Sequence, residues 1–318
     1  MNHVKKLLHN RYVSNALPLA LLIVIVLAFQ ILSGGKFLTS TNMSTIFEQS
    51  VIVAVCAIGI AFIYTTGNID MSVGSIIMLS GVIAGKVWLA TDSIVLMFIV
   101  DFAVGALMLY LNNVLSAVLG LRTVICAILM MNIYNAIGAE ILGADTISIY
   151  RYVKGIASSN IRLIIFIALV ILCITVFHFT KLGRSLRLVG GNDKCAATAG
   201  INRKKVISYG YVVAALCVGI ACTFTLIRTG NISSTASSMG TDLMLATVLG
   251  GMSIFGGHKS NAYSGIIGAF TVTVLNNGLL MLGVSNTIIQ GVRGVLFLVI
   301  VYMNSDHPDT LPSRNQFE

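Results

Sequence analysis

Residues 45–65 read TIFEQSVIVAVCAIGIAFIYT, and the polar stretch GNIDMSVGS follows almost at once at residues 67–75. A helix needs about 20 predominantly apolar residues to cross the hydrocarbon of a membrane. Residues 45–65 meet that requirement, so they predict a transmembrane helix. The stretch that follows contains two glycines, an amide, a carboxylate and two hydroxyls between apolar runs, which predicts a polar turn before the next helix.

The composition of the whole chain points to a membrane protein. Of the 318 residues, 57% are hydrophobic and 10% are charged, and the mean hydropathy is +0.94. A soluble domain carries about 25% charged residues, so a soluble domain is excluded. The net charge of +9 does not indicate nucleic-acid binding, because the Lys and Arg residues lie between apolar runs rather than on one soluble face.

Ten apolar runs predict an all-α, polytopic membrane protein. They are residues 17–32, 45–65, 72–90, 94–118, 123–143, 161–179, 206–228, 240–255, 261–283 and 286–303. The eighth run is short and bounded by glycine, so we expect a broken or re-entrant helix there. With the N-terminus inside, thirteen Lys and Arg residues lie in inner segments and six in outer loops. This asymmetry predicts that both termini are cytoplasmic.

Three side chains in the polar turn are candidates for function, because polar groups inside a membrane are costly. They are Asn68, Asp70 and Ser72. Asp70 can accept hydrogen bonds from a hydroxylated solute. It can equally cap the helix that follows, and the two roles are compatible.

Two further pairs of amides lie within predicted spans. Asn276 and Asn277 are adjacent in the ninth run, while Asn132 and Asn135 share one face of the fifth. Each pair can contact a polar solute or hold helices together. Two charged residues, Asp101 in the fourth run and Arg293 in the tenth, can form an ion pair.

A four-residue repeat and one basic loop organise the chain. Thr-Gly-Asn-Ile stands at residues 66–69 and again at 229–232, five predicted helices later. An odd offset reverses direction across the membrane, so the repeat indicates a possible inverted repeat. Residues 181–205 hold seven Lys and Arg residues against a single acid, Asp193. This loop is either a topology anchor or a docking surface for a cytoplasmic partner.

Signatures of enzymes and of metal sites are absent from the sequence. There is no Gly-x-Ser-x-Gly, His-Glu-x-x-His or Rossmann motif. Residues 251–260 fail as a P-loop, because Gly257-His258-Lys259 follows Gly256 where Lys and then Ser or Thr are needed. We therefore expect no catalytic residue, no metal and no cofactor in this chain. Any ATP and Mg²⁺ would be bound by a partner.

Four motifs together resemble the ribose-type (monosaccharide) ABC importer permeases. Residues 67–75 resemble the family signature Gly-Gly-Ile-Asp-Leu-Ser-Val-Gly-Ser. Residues 182–202 resemble its cytoplasmic coupling segment. Residues 248–257 and 275–284 resemble its glycine-rich short helix and the segment after it.

The resemblance implies a type II ABC importer fold with about ten transmembrane helices. The chain would then form a single permease domain over residues 1–318, in the cytoplasmic (inner) membrane. Its partners would be an ABC ATPase subunit, a second permease copy or paralogue, an extracytoplasmic substrate-binding protein and the lipid membrane, but no nucleic acid. The solute would be a pentose, a hexose or a related polar compound.

The same resemblance assigns roles to residues. The substrate pathway would include Gln49, Asn68, Asp70, Ser72, Asn132, Asn135, Asn276 and Asn277. ATPase coupling, with a short helix between Asn192 and Ile201, would use Gly190, Gly191, Asn192, Asp193, Ala196, Ala197, Gly200 and Ile201. The alternative is an ion-coupled secondary transporter that uses Asp70 or Asp101 as its ion site.

Overall fold

The computed structural model describes residues 11–143, 145–153, 159–233, 239–252, 256–257 and 260–304. Its helices are α1 Arg11–Leu32, α2 Ser40–Tyr64, α3 Val73–Thr91, α4 Ile94–Leu119, α5 Thr123–Leu142, α6 Tyr150–Val153, α7 Ser159–Phe179, α8 Lys181–Gly191, α9 Asp193–Thr198, α10 Arg203–Thr229, α11 Met239–Leu249, α12 Ala262–Met281 and α13 Asn286–Asn304. Two short strands, β1 Thr146–Ser148 and β2 Asn231–Ser233, pair in antiparallel fashion.

The prediction of an all-α polytopic membrane protein is confirmed. Within the described ranges, seven helices are long and apolar enough to cross a membrane: α2, α3, α4, α5, α7, α10 and α12. The other three predicted spans contain the shorter apolar helices Pro18–Leu32, Met239–Leu249 and Asn286–Val299. The count of ten spans therefore stays a prediction. The orientation of the termini also stays one, because residues 1–10 and 305–318 lie outside the described part of the chain.

Helix α2 forms the centre of the molecule. Every residue from Ser50 to Tyr64 is buried, because the helix is apolar on all sides and has protein on all sides. Its main neighbours are α10 and α12. Gly59 lies against Cys217 of α10, and Gly265 of α12 lies against Ala57, where a side chain would collide with the backbone of α2. Missing side chains thus let three helices approach closely.

The remaining helices surround this centre. Helix α4 packs against α10 and α3, and α3 also contacts α5. Helix α1 contacts α12, where the ring of Phe29 covers Gly278. The strand pair places Ile147 opposite Ile232, and both side chains lie over Gly85 of α3. The strand pair therefore covers one end of α3.

The packing of α2 against α10 defines two ends of the molecule. Gly59 meets Cys217 while Gly210 meets Phe62, so the two helices are antiparallel. We call the end that carries α8 and α9 the coupling end, and the opposite end, with β1 and β2, the cavity end. Residues 66–69 follow α2 at the coupling end, and residues 229–232 follow α10 at the cavity end. This opposite placement is what an inverted repeat requires.

Candidate functional site

A cavity of about 320 Å³ lies at the cavity end, between α2, α3, α10, α11 and α12. Its polar lining consists mainly of amides and hydroxyls, together with one arginine and one carboxylate. These residues include Gln49, Thr225, Arg228, Thr229, Asn231, Ser233, Asp242, Thr273 and Asn276. Two of the residues predicted from sequence, Gln49 and Asn276, therefore lie in one cavity. The other wall is apolar, with residues such as Ile52, Val53 and Ile77.

An ion pair fixes the wall of this cavity on the side of α11. A guanidinium nitrogen of Arg293 on α13 lies 2.6 Å from a carboxylate oxygen of Asp242, near the start of α11. The Nε of Arg293 also donates to the Oδ1 of Asn276 on α12, at 2.7 Å. Three helices are thus joined beside the cavity. Asn276 bonds a neighbouring helix and also lines the cavity. The helix-contact role is therefore confirmed, and its contact with a solute stays a prediction.

The predicted pairing of Asp101 with Arg293 is wrong. Arg293 lies on α13, which contacts α11 and α12, whereas Asp101 is buried on α4 among α3 and α10. The nearer acid, Asp242, occupies Arg293 instead. The packing order of the helices decided the pairing, and the sequence did not reveal that order.

The polar turn after α2 forms a separate cluster at the coupling end. The Oδ1 of Asp70 accepts hydrogen bonds from the backbone N–H of Ser72 at 2.9 Å and from its hydroxyl at 2.6 Å. The Oδ2 accepts from the Nδ2 of Asn112 on α4 at 3.1 Å. The hydroxyl of Tyr134 on α5 donates to the Oδ1 of Asn112 at 3.0 Å. One buried carboxylate therefore joins the start of α3 to α4 and, through Asn112, to α5.

The electrostatics of Asp70 follow from this environment. Burial raises the pKa of its carboxyl from the ordinary value, while the hydrogen bonds from Ser72 and Asn112 lower it. Its bond to the Ser72 amide closes the turn that precedes α3. The N-cap residue of α3 is Ser72 and no side chain caps this helix, so the capping role weighed from sequence is not seen. Since its oxygens are engaged by these donors, Asp70 acts in this structure as a structural acceptor.

Asn68 belongs to the same cluster. Its Oδ1 accepts from the hydroxyl of Thr123, at the start of α5, at 3.1 Å, and its Nδ2 donates to Thr66 at 3.0 Å. None of Asn68, Asp70 and Ser72 lines the cavity at the other end. Five of the predicted pathway residues thus fall into two groups, Gln49 and Asn276 in the cavity and Asn68, Asp70 and Ser72 in this cluster. Sequence reasoning missed Asn112 and Tyr134, although an amide within an apolar run is the same signal that singled out Asn276.

Three other predicted amides join neither group. Asn132 is exposed on α5, and its Nδ2 donates to the backbone oxygen of Ile128 at 3.0 Å. Asn135 on α5 and Asn277 on α12 are half-buried, and within the described part of the chain their Oδ1 atoms accept no hydrogen bond. Asn132 and Asn135 give α5 a polar face that is at least partly exposed.

The basic loop forms two helices, α8 and α9, where sequence predicted one. Helix α8 buries Gly183, Leu186 and Val189, which recur every three residues along one face. At the end of α8, Gly190 lies against Thr65, the residue that follows α2. A side chain at position 190 would collide with the backbone carbonyl oxygen of Thr65. The same Thr65 oxygen accepts the N–H of Gly257 at 2.9 Å. Helix α8 is therefore held directly against the end of the central helix.

Helix α9 is the predicted short helix and lies on the surface. Asn192 caps it, since its side chain accepts the N–H of Cys195 at 3.1 Å. Asp193 forms an ion pair with Arg203 at 3.1 Å. Ala196 is buried against the molecule, and Ala197 beside it is exposed. Among the residues predicted to couple to an ATPase, Gly191, Asn192, Asp193, Ala197 and Gly200 are exposed, while Ile201 is half-buried.

Gly200 has a physical reason to be glycine. Its φ is +75°, a left-handed conformation that side chains disfavour, and the space where a Cβ would lie is open. The turn after α9 thus needs glycine for its backbone, independently of any contact with a partner.

The family comparison decides which class of protein this is. Residues 42–301 match the model of a family described as branched-chain amino acid transport system / permease component. The chain belongs to this permease family. The structure of a multi-pass membrane protein agrees with that membership, and an ion-coupled transporter gains no support.

Individual relatives narrow the class to permeases of sugar import systems. The chain is 30% identical to the D-allose transport system permease of Escherichia coli over 293 residues, 89% of each chain. It is also 30% identical to the ribose import permease of Bacillus subtilis over 300 residues, 90% of this chain and 91% of that one. The fructose import permease of Rhizobium meliloti is 29% identical over 302 residues, 90% and 84% of the two chains. The resemblance to ribose-type importer permeases is confirmed. No solved structure matches the chain.

Proposed function

We propose that this chain is the membrane-spanning subunit of an ATP-driven importer for a small sugar or a related polyhydroxylated solute. Its membership of the permease family and the names of its relatives, which refer to ribose, D-allose and fructose, support the class. The cavity supports the assignment of a small polyhydroxylated compound as the solute. Its volume of about 320 Å³ lies at the lower end of the range for small-molecule sites, and its amides and hydroxyls match hydroxyl groups.

One observation carries the proposal: a continuous path of contacts joins the exposed helix α9 to the cavity. Helix α9 follows α8 directly, α8 rests on the end of α2 at Thr65, and α2 lines the cavity at Gln49. Gln49 lies sixteen positions before Thr65, a distance of about 24 Å along the helix axis. A close-packed helix transmits a displacement along its axis, so movement at α9 would reach the cavity.

The mechanism that follows is alternating access. A partner ATPase, which binds ATP and Mg²⁺, docks on α8 and α9 at the cytoplasmic face and moves them as it closes and opens. The cavity then opens alternately to the outside and to the inside. An extracytoplasmic binding protein delivers the solute at the cavity end. Amides and hydroxyls bind weakly enough to release it, as transport requires.

In this proposal, a second permease copy or paralogue packs against the face of α5 that carries Asn132. An exposed amide facing lipid tails leaves its polar atoms without partners, which is costly. Asn132 is exposed on α5, so in the chain alone its side chain would face lipid. Contact with a second permease, or with a solute path between the two, would remove that cost.

Capture of the ATPase tests the docking surface. The chain carries an affinity tag, is solubilised in mild detergent from its native host, and co-purifying chains are identified by mass. We expect an ATPase subunit with Walker motifs. Ala197→Arg places a large cation on the exposed face of α9, where no contact within the chain is lost, and should lower ATPase recovery about tenfold, the effect of 1.4 kcal/mol.

The matched control is Ala90→Arg, which adds the same side chain at an exposed position near the end of α3, at the cavity end. It should leave ATPase recovery unchanged. If Ala197→Arg recovers as much ATPase as the wild type does, α9 is not the docking surface. Recovery of the tagged chain without any ATPase would overturn the importer class.

A further inference from the structure

Two arginines border the cavity, and they differ in how their side chains are bonded to the rest of the protein. Arg293 is engaged by Asp242 and by Asn276, at 2.6 and 2.7 Å. Arg228, in the last turn of α10, lines the cavity and is half-buried. Three ion pairs form among the described residues, and Arg228 belongs to none of them.

The carboxylates at the border of the cavity are paired with other arginines. Glu48, next to the cavity residue Gln49, forms an ion pair with Arg162 at 3.2 Å. Asp242 in the cavity wall is paired with Arg293. Among the described residues the cavity and its borders thus hold two matched ion pairs and one extra positive charge.

A half-buried guanidinium suits one kind of ligand group in particular. Its planar set of N–H donors matches a carboxylate in a bidentate arrangement, and the interaction strengthens as water is excluded. Arg228 is stabilised without an acid partner because it lies at a helix C-terminus, where the helix dipole favours a cation. Its donors therefore remain available toward the cavity.

We propose that the preferred solute is a sugar acid, whose carboxylate binds Arg228 while its hydroxyls meet amides and hydroxyls such as Gln49, Thr225 and Asn276. Arg228 is then the residue that determines specificity within the permease. This inference rests on the proposed function, because it takes the cavity to be part of the solute path. It narrows the solute from polyhydroxylated compounds in general to those with a negative charge.

The test compares two probes that differ only in charge, D-glucuronate and D-glucuronamide. The permease–ATPase complex is placed in nanodiscs without any binding protein, so that only the membrane subunits are measured, and each probe is titrated calorimetrically. The wild type should bind D-glucuronate about tenfold more tightly than the amide, the effect of 1.4 kcal/mol. Arg228→Gln should bring the ratio of the two dissociation constants to about one.

Two variants make the result interpretable. Arg228→Lys keeps the positive charge but loses the planar set of N–H donors, so it should give an intermediate ratio of the two dissociation constants. This variant also tests the role of Arg228 if Arg228→Gln does not fold. Lys86→Gln removes an equal charge from an exposed site on α3 that does not line the cavity, and it should keep the wild-type ratio.

The outcomes separate this inference from the proposed function. A wild-type ratio near one, or a ratio that Arg228→Gln leaves intact, overturns the role of Arg228. A complex that retains its ATPase and imports neutral sugars with no preference for acids keeps the proposed function and removes this inference. A complex without ATPase overturns the proposed function itself.

Discussion

At the scale of residues, the carboxylate of Asp70 matters because of the donors that surround it. In Asp70→Asn, one carboxylate oxygen becomes an NH₂ group. The amide can still accept from Ser72, but its NH₂ must then face the NH₂ of Asn112, and two buried donors meet. We expect a loss of about 2 kcal/mol in the free energy of unfolding, measured by denaturant titration in mixed micelles.

The reciprocal exchange provides the control. Asp70→Asn combined with Asn112→Asp restores a donor opposite an acceptor, and the new carboxylate at position 112 can still accept the Tyr134 hydroxyl. The double variant should recover at least half of the lost stability, giving a clear coupling energy in a double-mutant cycle. Additive losses would show that the contact between positions 70 and 112 contributes nothing.

The polar residues themselves were predictable, but their partners were not. Asn68, Asp70 and Ser72 were singled out because polar groups in a membrane are costly, and the structure does place them in one buried cluster. Their partner Asn112 lies some 40 residues away in sequence and on a different helix. Arg228 was counted only as an outer-loop charge. Its place in the cavity depends on how α10 packs, which one sequence does not display.

At the scale of elements, the contact of α8 with the end of α2 can be tested through Gly190. A methyl group there would collide with the backbone of Thr65 and of Gly257, and backbone atoms yield less easily than the tip of a side chain. Overpacking costs about 1–3 kcal/mol, which α8 can relieve by moving away from α2. We therefore expect Gly190→Ala to reduce the solute-stimulated ATPase rate of the complex while basal hydrolysis remains.

Gly291→Ala is the control for this variant, because a side chain at position 291 on α13 would meet open space. It should leave the stimulated rate unchanged. Full stimulation in Gly190→Ala would mean that force does not pass from α8 to α2 at this contact.

The helices were predictable where hydrophobicity alone specifies them, and less so where packing does. The runs at 45–65 and 94–118 match α2 and α4 closely, since about 20 apolar residues suffice to define a span. Helix α8 was read as loop because its eleven residues include three cations and three glycines. Its apolar positions recur on one face only, and that face is buried against α7 and α10. The strand pair, joined across more than 80 residues, left no pattern in the sequence.

At the scale of the whole molecule, the coupling end must face the cytoplasm if an ATPase docks there. The chain offers its own probe. Cys195 on α9 is exposed, while the other five cysteines are buried. Seven Lys and Arg residues between 181 and 205 also favour a cytoplasmic position for this end.

A membrane-impermeant maleimide should therefore label Cys195 in inverted membrane vesicles and leave it unlabelled in right-side-out vesicles. Bound ATPase should slow the labelling in inverted vesicles, because α9 would then be covered. The variant Cys195→Ser with Lys36→Cys moves the thiol to the exposed loop before α2, at the cavity end, and should reverse the pattern between the two kinds of vesicle. Labelling of Cys195 in right-side-out vesicles would mean that the whole molecule has the reverse of the proposed orientation in the membrane. It would place the cavity toward the cytoplasm and leave α8 and α9 out of reach of an ATPase, so the proposed direction of force, from α9 through α2 to the cavity, would fail with it.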